Sequence, residues 1–138
     1  MAFEISSDFI FFSDENKQSF EIKEIVYNTD NPKEIEERDK AISYLLIGIE
    51  LYKKSKFKKA LDFLNSALLI FKNYNELSYG IALFFLGEFY ELKEEWEKSL
   101  ENYKESRNIL EKYNHKMSWD ASKKIEKIKK EIEKSDSI

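Results

Sequence analysis

The sequence predicts an all-α fold of antiparallel helical hairpins stacked as a solenoid, and three observations carry that expectation. Three Gly and a single Pro among 138 residues leave little material for tight β-turns, which depend on those residues for their backbone angles. Apolar residues recur at the i, i+3, i+4, i+7 spacing of a helix face in one segment after another. The stretch from Tyr44 to Ile109 is also one pattern written twice. At an offset of 39 residues Gly48 pairs with Gly87, Phe57 with Trp96, Ala60 with Ser99 and Leu61 with Leu100. Leu64 then pairs with Tyr103, Ala67 with Ser106 and Ile70 with Ile109. A period of roughly 20–50 residues is the mark of helical-repeat arrays, which mostly serve to hold other proteins.

Composition bounds the class. Apolar residues make up 42% of the chain and aromatic residues 15%, and a compact domain of this length buries roughly 70% of its unfolded surface. The absence of Cys excludes a disulfide framework and a thiolate metal site. The longest fully apolar run, Ile81 to Leu86, is six residues against the roughly 20 that span a bilayer, so no integral membrane segment is expected. The amino terminus lacks the basic start and apolar stretch of a secretory signal, and a cytoplasmic location is the expectation. Net charge is −4 but unevenly placed: residues 1–39 hold 4 Lys and Arg against 11 Asp and Glu, 40–115 hold 12 against 11, and 116–138 hold 7 against 5. No broad basic surface points to nucleic acid.

Taken in order, residues 1–30 form a separate amino-terminal segment, a lid or a hairpin. Phe9-Ile10-Phe11-Phe12 and the alternating run from Phe20 to Val26 suit a β-hairpin, and a short helix over 19–27 is the alternative. A helical domain is expected over 31–138. Asn31 as cap, Pro32 at the first helical position and Glu34 three residues beyond the cap predict a helix start, and the first helix runs to about Lys54. The second covers Phe57 to Lys72, with the stripe Phe57, Ala60-Leu61, Leu64, Ala67-Leu68, Phe71. Asn73-Tyr74-Asn75 is long enough only for an antiparallel turn. The third helix, about Leu77 to Lys93, is apolar all round, and the fourth runs from about Glu95 to Tyr113. A last helix over 118–134 has one stripe, Ala121, Ile125, Ile128 and Ile132, and a Lys/Glu-rich back that suits a cap closing one end of the stack.

The repeated unit resembles the tetratricopeptide repeat. The residues that carry the likeness are the small Gly48 and Gly87 in the middle of each first helix, with large apolar groups around them at Tyr44, Ile47, Leu51 and at Leu83, Leu86, Tyr90. Phe57 and Trp96 open the second helices, followed by Ala60 and Ala67 in one copy and Ser99 and Ser106 in the other, with Leu64 and Tyr103 between. The likeness covers about Ala41 to Tyr113. The period of 39 exceeds the family's usual length, and Ser55 and Glu94 stand where the hairpin turn usually has Gly. The resemblance implies a right-handed superhelix whose first helices line a concave groove. Mapped onto this chain, that face consists of Ile42, Leu45, Leu46, Ile49 and Tyr52 from the first unit and Ile81, Phe84, Phe85, Glu88 and Leu92 from the second. It lacks the Lys, Arg and Asn with which some family members grip a terminal carboxylate, so an apolar or amphipathic segment is the expected guest.

No catalytic constellation is legible. His115 is the single histidine and falls in a predicted loop, without the paired spacing of a metal site or the partners of a triad. No Gly-rich phosphate loop occurs, and no cofactor, metal site or enzymatic activity is expected. Lys53, Lys54, Lys56, Lys58 and Lys59 make a basic first turn, which reads as a solvated turn or as a seat for an acidic partner. The expected function is a non-catalytic interaction module and scaffold that binds a protein or peptide segment through Ile42, Leu45, Leu46, Ile49, Tyr52, Ile81, Phe84, Phe85 and Glu88. The alternative is a self-associating subunit, a homodimer whose groove is filled by its twin or by its own amino terminus.

Overall fold

The computed structural model describes residues 31–136, which fold as five α-helices with short connections. They are α1 (Pro32–Lys53), α2 (Phe57–Tyr74), α3 (Glu76–Leu92), α4 (Trp96–Lys112) and α5 (Met117–Asp136). Each helix packs chiefly on the next in the chain, and α3 also touches α1 and α5. The fold is all-α, and no strand occurs among the described residues. The hairpin or helix expected within residues 1–30 lies outside them.

Local chemistry sets the boundaries. Asn31 caps α1 through its Oδ1, which accepts the backbone N–H of Lys33 at 3.0 Å and of Glu34 at 3.4 Å, with Pro32 in the first turn. Asn75 serves two helices at once. Its extended backbone ends α2, and its Oδ1 accepts both the N–H and the hydroxyl of Ser78 at 2.8 Å to start α3. That double role is why α2 runs on through Tyr74 and the junction shrinks to one residue, where a three-residue turn is the sequence expectation.

The other three junctions share one geometry. Ser55, Glu94 and Asn114 have φ of 63°, 58° and 52°. Each is followed by an N–H that reaches back to the carbonyl five residues earlier: Lys56 to Leu51, Glu95 to Tyr90 and His115 to Leu110, all at 2.9 Å. The N–H groups of Ser55, Glu94 and Asn114 bond three residues back, to Tyr52, Glu91 and Glu111. This paired closure satisfies the orphan carbonyls of a helix end and normally has Gly at the left-handed residue. Here none of the three is Gly.

The self-match at 39 residues reappears as packing. A Cβ added to Gly48 would lie 2.8 Å from the Leu64 side chain, and one added to Gly87 would lie 2.7 Å from the Tyr103 ring. In both hairpins a missing side chain admits the large residue of the following helix. The second hairpin adds hydroxyls: Ser99 donates to the Gly87 carbonyl at 2.8 Å and Ser106 to the Gly80 carbonyl at 2.7 Å. Buried Ala60 and Ala67 hold the matching places in the first hairpin without such bonds. Phe57, which opens α2, meets Phe89 of α3 edge-on at 5.8 Å between ring centroids, so the hairpins join through aromatic contact. All five helices contribute to one buried cluster that includes Phe71, Phe85, Phe89, Tyr103, Leu110, Ile125 and Ile128.

Candidate functional site

The adjoining sides of α1 and α3 hold the residues that the sequence singles out. From α1 come Ile42, Leu45, Leu46, Ile49 and Tyr52, exposed by 0%, 0%, 7%, 8% and 1%; from α3 come Ile81, Phe84 and Phe85, exposed by 1%, 2% and 0%. Burying each such side chain contributes roughly 1.5–3 kcal/mol, so these eight are structural members of the core within a single chain. Phe84 packs edge-on against Phe85 and Tyr103, at 5.6 and 5.3 Å between centroids. Glu88 is half-buried, and Leu92 at the end of the same face is 51% exposed.

Glu88 begins a polar seam across the helices. The Tyr52 hydroxyl of α1 donates to Glu88 Oε1 at 2.5 Å, and Lys124 of α5 stands 3.9 Å from Glu88 Oε2. One turn on, Glu91 accepts from the Tyr103 hydroxyl at 2.6 Å, from Lys127 at 2.6 Å and from Lys124 at 3.3 Å. Burial opposes ionisation of the Glu91 carboxyl. The bonds from Lys127 and Tyr103 and the charges of Lys124 and Lys127 outweigh it and hold the group below the usual carboxylate range. Burial, and then the hydrogen bond and charge of Glu91, push the Tyr103 phenol far above its ordinary value. The Glu91 bond raises Lys127. The seam ties α1, α3, α4 and α5 at one end of the face and leaves no free acid or base within it. Glu91, Tyr103, Lys124 and Lys127 are absent from the sequence-stated site. Their signal is the i, i+3 spacing of two glutamates on one helix and two lysines on another.

Other features separate from this face. Lys53, Lys54, Lys56, Lys58 and Lys59 are all exposed at the α1–α2 turn, where Lys54 lies 3.8 Å from Glu50. His115 sits in the α4–α5 turn and its Nδ1 accepts the Met117 N–H at 3.2 Å, a structural use at a helix start. Beside it, Glu111, Asn114, His115, Lys116, Ser118 and Trp119 line a shallow recess of about 460 Å³, and Trp119 is 76% exposed. Glu76 takes bonds from Lys112 and Tyr113 at 2.8 and 2.7 Å and fastens the end of α4 to the start of α3. Among the described residues no group of three or more His, Cys, Asp or Glu side chains is placed to hold a metal ion, and no helix is long and apolar enough to cross a membrane.

No protein-family model, curated protein or solved structure matches the chain.

Proposed function

We propose that this protein is a non-catalytic interaction module, a tetratricopeptide-like stack of two hairpins and a capping helix that holds a protein segment along the face of α1 and α3. One observation carries the reading. The contacts Gly48–Leu64 and Gly87–Tyr103 repeat at the sequence period, which supports reading the two first helices as equivalent. Their inner sides then form one apolar surface from Ile42 to Phe85, finished by the Tyr52–Glu88 pair. The chemistry of that surface suits an amphipathic helix or extended apolar segment, whose anchors recur at i, i+3, i+4 and i+7. Because these side chains are already covered within one chain, binding takes the form of exchange, in which an incoming segment displaces an existing cover. The same coverage counts against a dimer in which each copy hides the other's face, since no second copy is needed to bury it.

Selection of displayed peptides on the full chain tests the proposal. Enriched peptides are expected to carry apolar anchors at helical spacing and to shift the amide resonances of Leu45, Leu46, Ile49 and Phe85. Peptides that shift only outward residues such as Ile47 and Leu69 would overturn it, as would selection without enrichment.

A further inference from the structure

The face of α1 and α3 is closed along its length and opens at one end. Its eight apolar members are at most 8% exposed, whereas Leu92, the last residue of α3, is 51% exposed. At the offset of 39, Lys53 holds on α1 the place that Leu92 holds on α3, and it too is exposed. The two stand at one level of the stack. Tyr52, beside Lys53, bonds to Glu88 one turn before Leu92. Lys93, beside Leu92, lies over the Phe57 ring at the start of α2, 5.9 Å from its centroid.

An exposed leucine alone is ordinary; the charge beside this one is not. Lys53, Lys54, Lys56, Lys58 and Lys59 are all exposed, and α2 has no acidic residue in its first turn. The acids nearest in sequence are Glu50, 3.8 Å from Lys54, and Asp62. The other flank of Leu92 is balanced, because Lys124 and Lys127 of α5 are engaged by Glu91, whose side chain is 9% exposed. Positive charge therefore borders Leu92 on its α1 side. We propose that this end of the face takes an acidic amphipathic protein segment, with an apolar anchor over Leu92 and carboxylates over Lys53 and Lys56. Charge complementarity of this kind steers encounter and sets register. An anionic bilayer fits less well, because it would meet the whole end of the stack, where Glu94 and Glu97 are exposed beside the lysines. The inference rests on the interaction-module reading and names the chemistry of the guest and the end at which it enters.

Three labelled peptides test it on the full chain by fluorescence anisotropy. All carry leucines at i, i+3, i+4 and i+7, and their remaining positions are Glu, Gln or Lys. Exposed ion pairs contribute about 0.2–1 kcal/mol each, so the Glu peptide should bind about three- to tenfold tighter than the Gln peptide at low salt. That gap should close in about 1 M NaCl and vanish when Lys53→Gln and Lys56→Gln are introduced together. Leu92→Ser should weaken the Glu and Gln peptides alike. All three positions are exposed, so the variants should keep the thermal unfolding midpoint of the parent. A Gln or Lys peptide that binds as tightly as the Glu peptide overturns the inference, as does a gap that survives the two lysine substitutions. Absence of binding by all three overturns it too. Binding to phosphatidylserine vesicles that the Glu peptide cannot displace overturns it by assigning the lysines to a bilayer. None of these results decides the interaction-module reading, which stands or falls with the displayed-peptide selection, where no charge is presupposed.

Discussion

Replacing Ser55 and Glu94 with glycine should stabilise the protein, and the sign of the effect tests the hairpin geometry on which the site depends. Both residues have positive φ, 63° and 58°, and both are exposed. A left-handed backbone costs a residue with a Cβ roughly 1–2 kcal/mol. Glycine removes that cost but returns about 0.4–1 kcal/mol through the greater freedom of its unfolded chain. The difference is a gain of roughly 0.5–1 kcal/mol at each site. The two turns belong to different hairpins, so the gains should add, giving about 1–2 kcal/mol and a rise of roughly 3–5 °C in Tm per kcal/mol for a chain of this size. Thermal and urea unfolding followed by far-UV circular dichroism measures it. Asn114→Gly, at φ 52°, should gain least, because Asn tolerates this conformation better than Ser or Glu. Had the helices run on through Ser55 and Glu94, glycine would cost about 1 kcal/mol instead. A destabilised double variant therefore refutes the shared turn geometry.

Gly87→Ala should cost about 1–3 kcal/mol by overpacking, since its Cβ would fall 2.7 Å from the Tyr103 ring. Gly48→Ala should cost less, because the flexible Leu64 side chain that it meets gives way more easily than a ring; urea midpoints rank the two. Tyr103→Phe removes the hydroxyl bonded to Glu91, and losing a bond to a charged acceptor should lower stability by roughly 1.5–3 kcal/mol, read by the same unfolding curves. The Glu91 carboxyl is held below its ordinary range, so its folded pKa lies under its unfolded value near ~4.3. Its contribution is then fully present above that unfolded value and fades as pH falls through the folded one. Stability measured from pH 7 down to pH 2 should show this loss, and Glu91→Gln should flatten that limb.

Helix number and order were readable from period and capping: Asn31-Pro32 opens α1 where the cap residues place it, and the pairs Gly48–Leu64 and Gly87–Tyr103 were written in the self-match. The α2–α3 junction was misjudged because a single Asn75 can end one helix and cap the next, a coincidence that composition does not show. The face of α1 and α3 was assigned from its apolar residues, but hydropathy cannot separate an apolar side that waits for a guest from one already covered. Ile42 and Phe85 read the same in either state; exposure of 0% decides it. Glu91 was missed for a different reason. Its partners lie on α4 and α5, and the i, i+3 pair Glu88 and Glu91 carries no local sign that Tyr103 and Lys127 converge on it.

The two hairpins are alike in outline but not in how they resist sliding. In the second, the Ser99 and Ser106 hydroxyls reach the Gly87 and Gly80 carbonyls, bonds with direction that fix one helix against the other along its axis. In the first, Ala60 and Ala67 offer only smooth contact, which tolerates small shifts of α1 over α2. A guest of imperfect fit would therefore meet a stiff wall at α3 and a compliant one at α1. Placing Ser at positions 60 and 67 would make both walls stiff and should narrow the range of segments accepted.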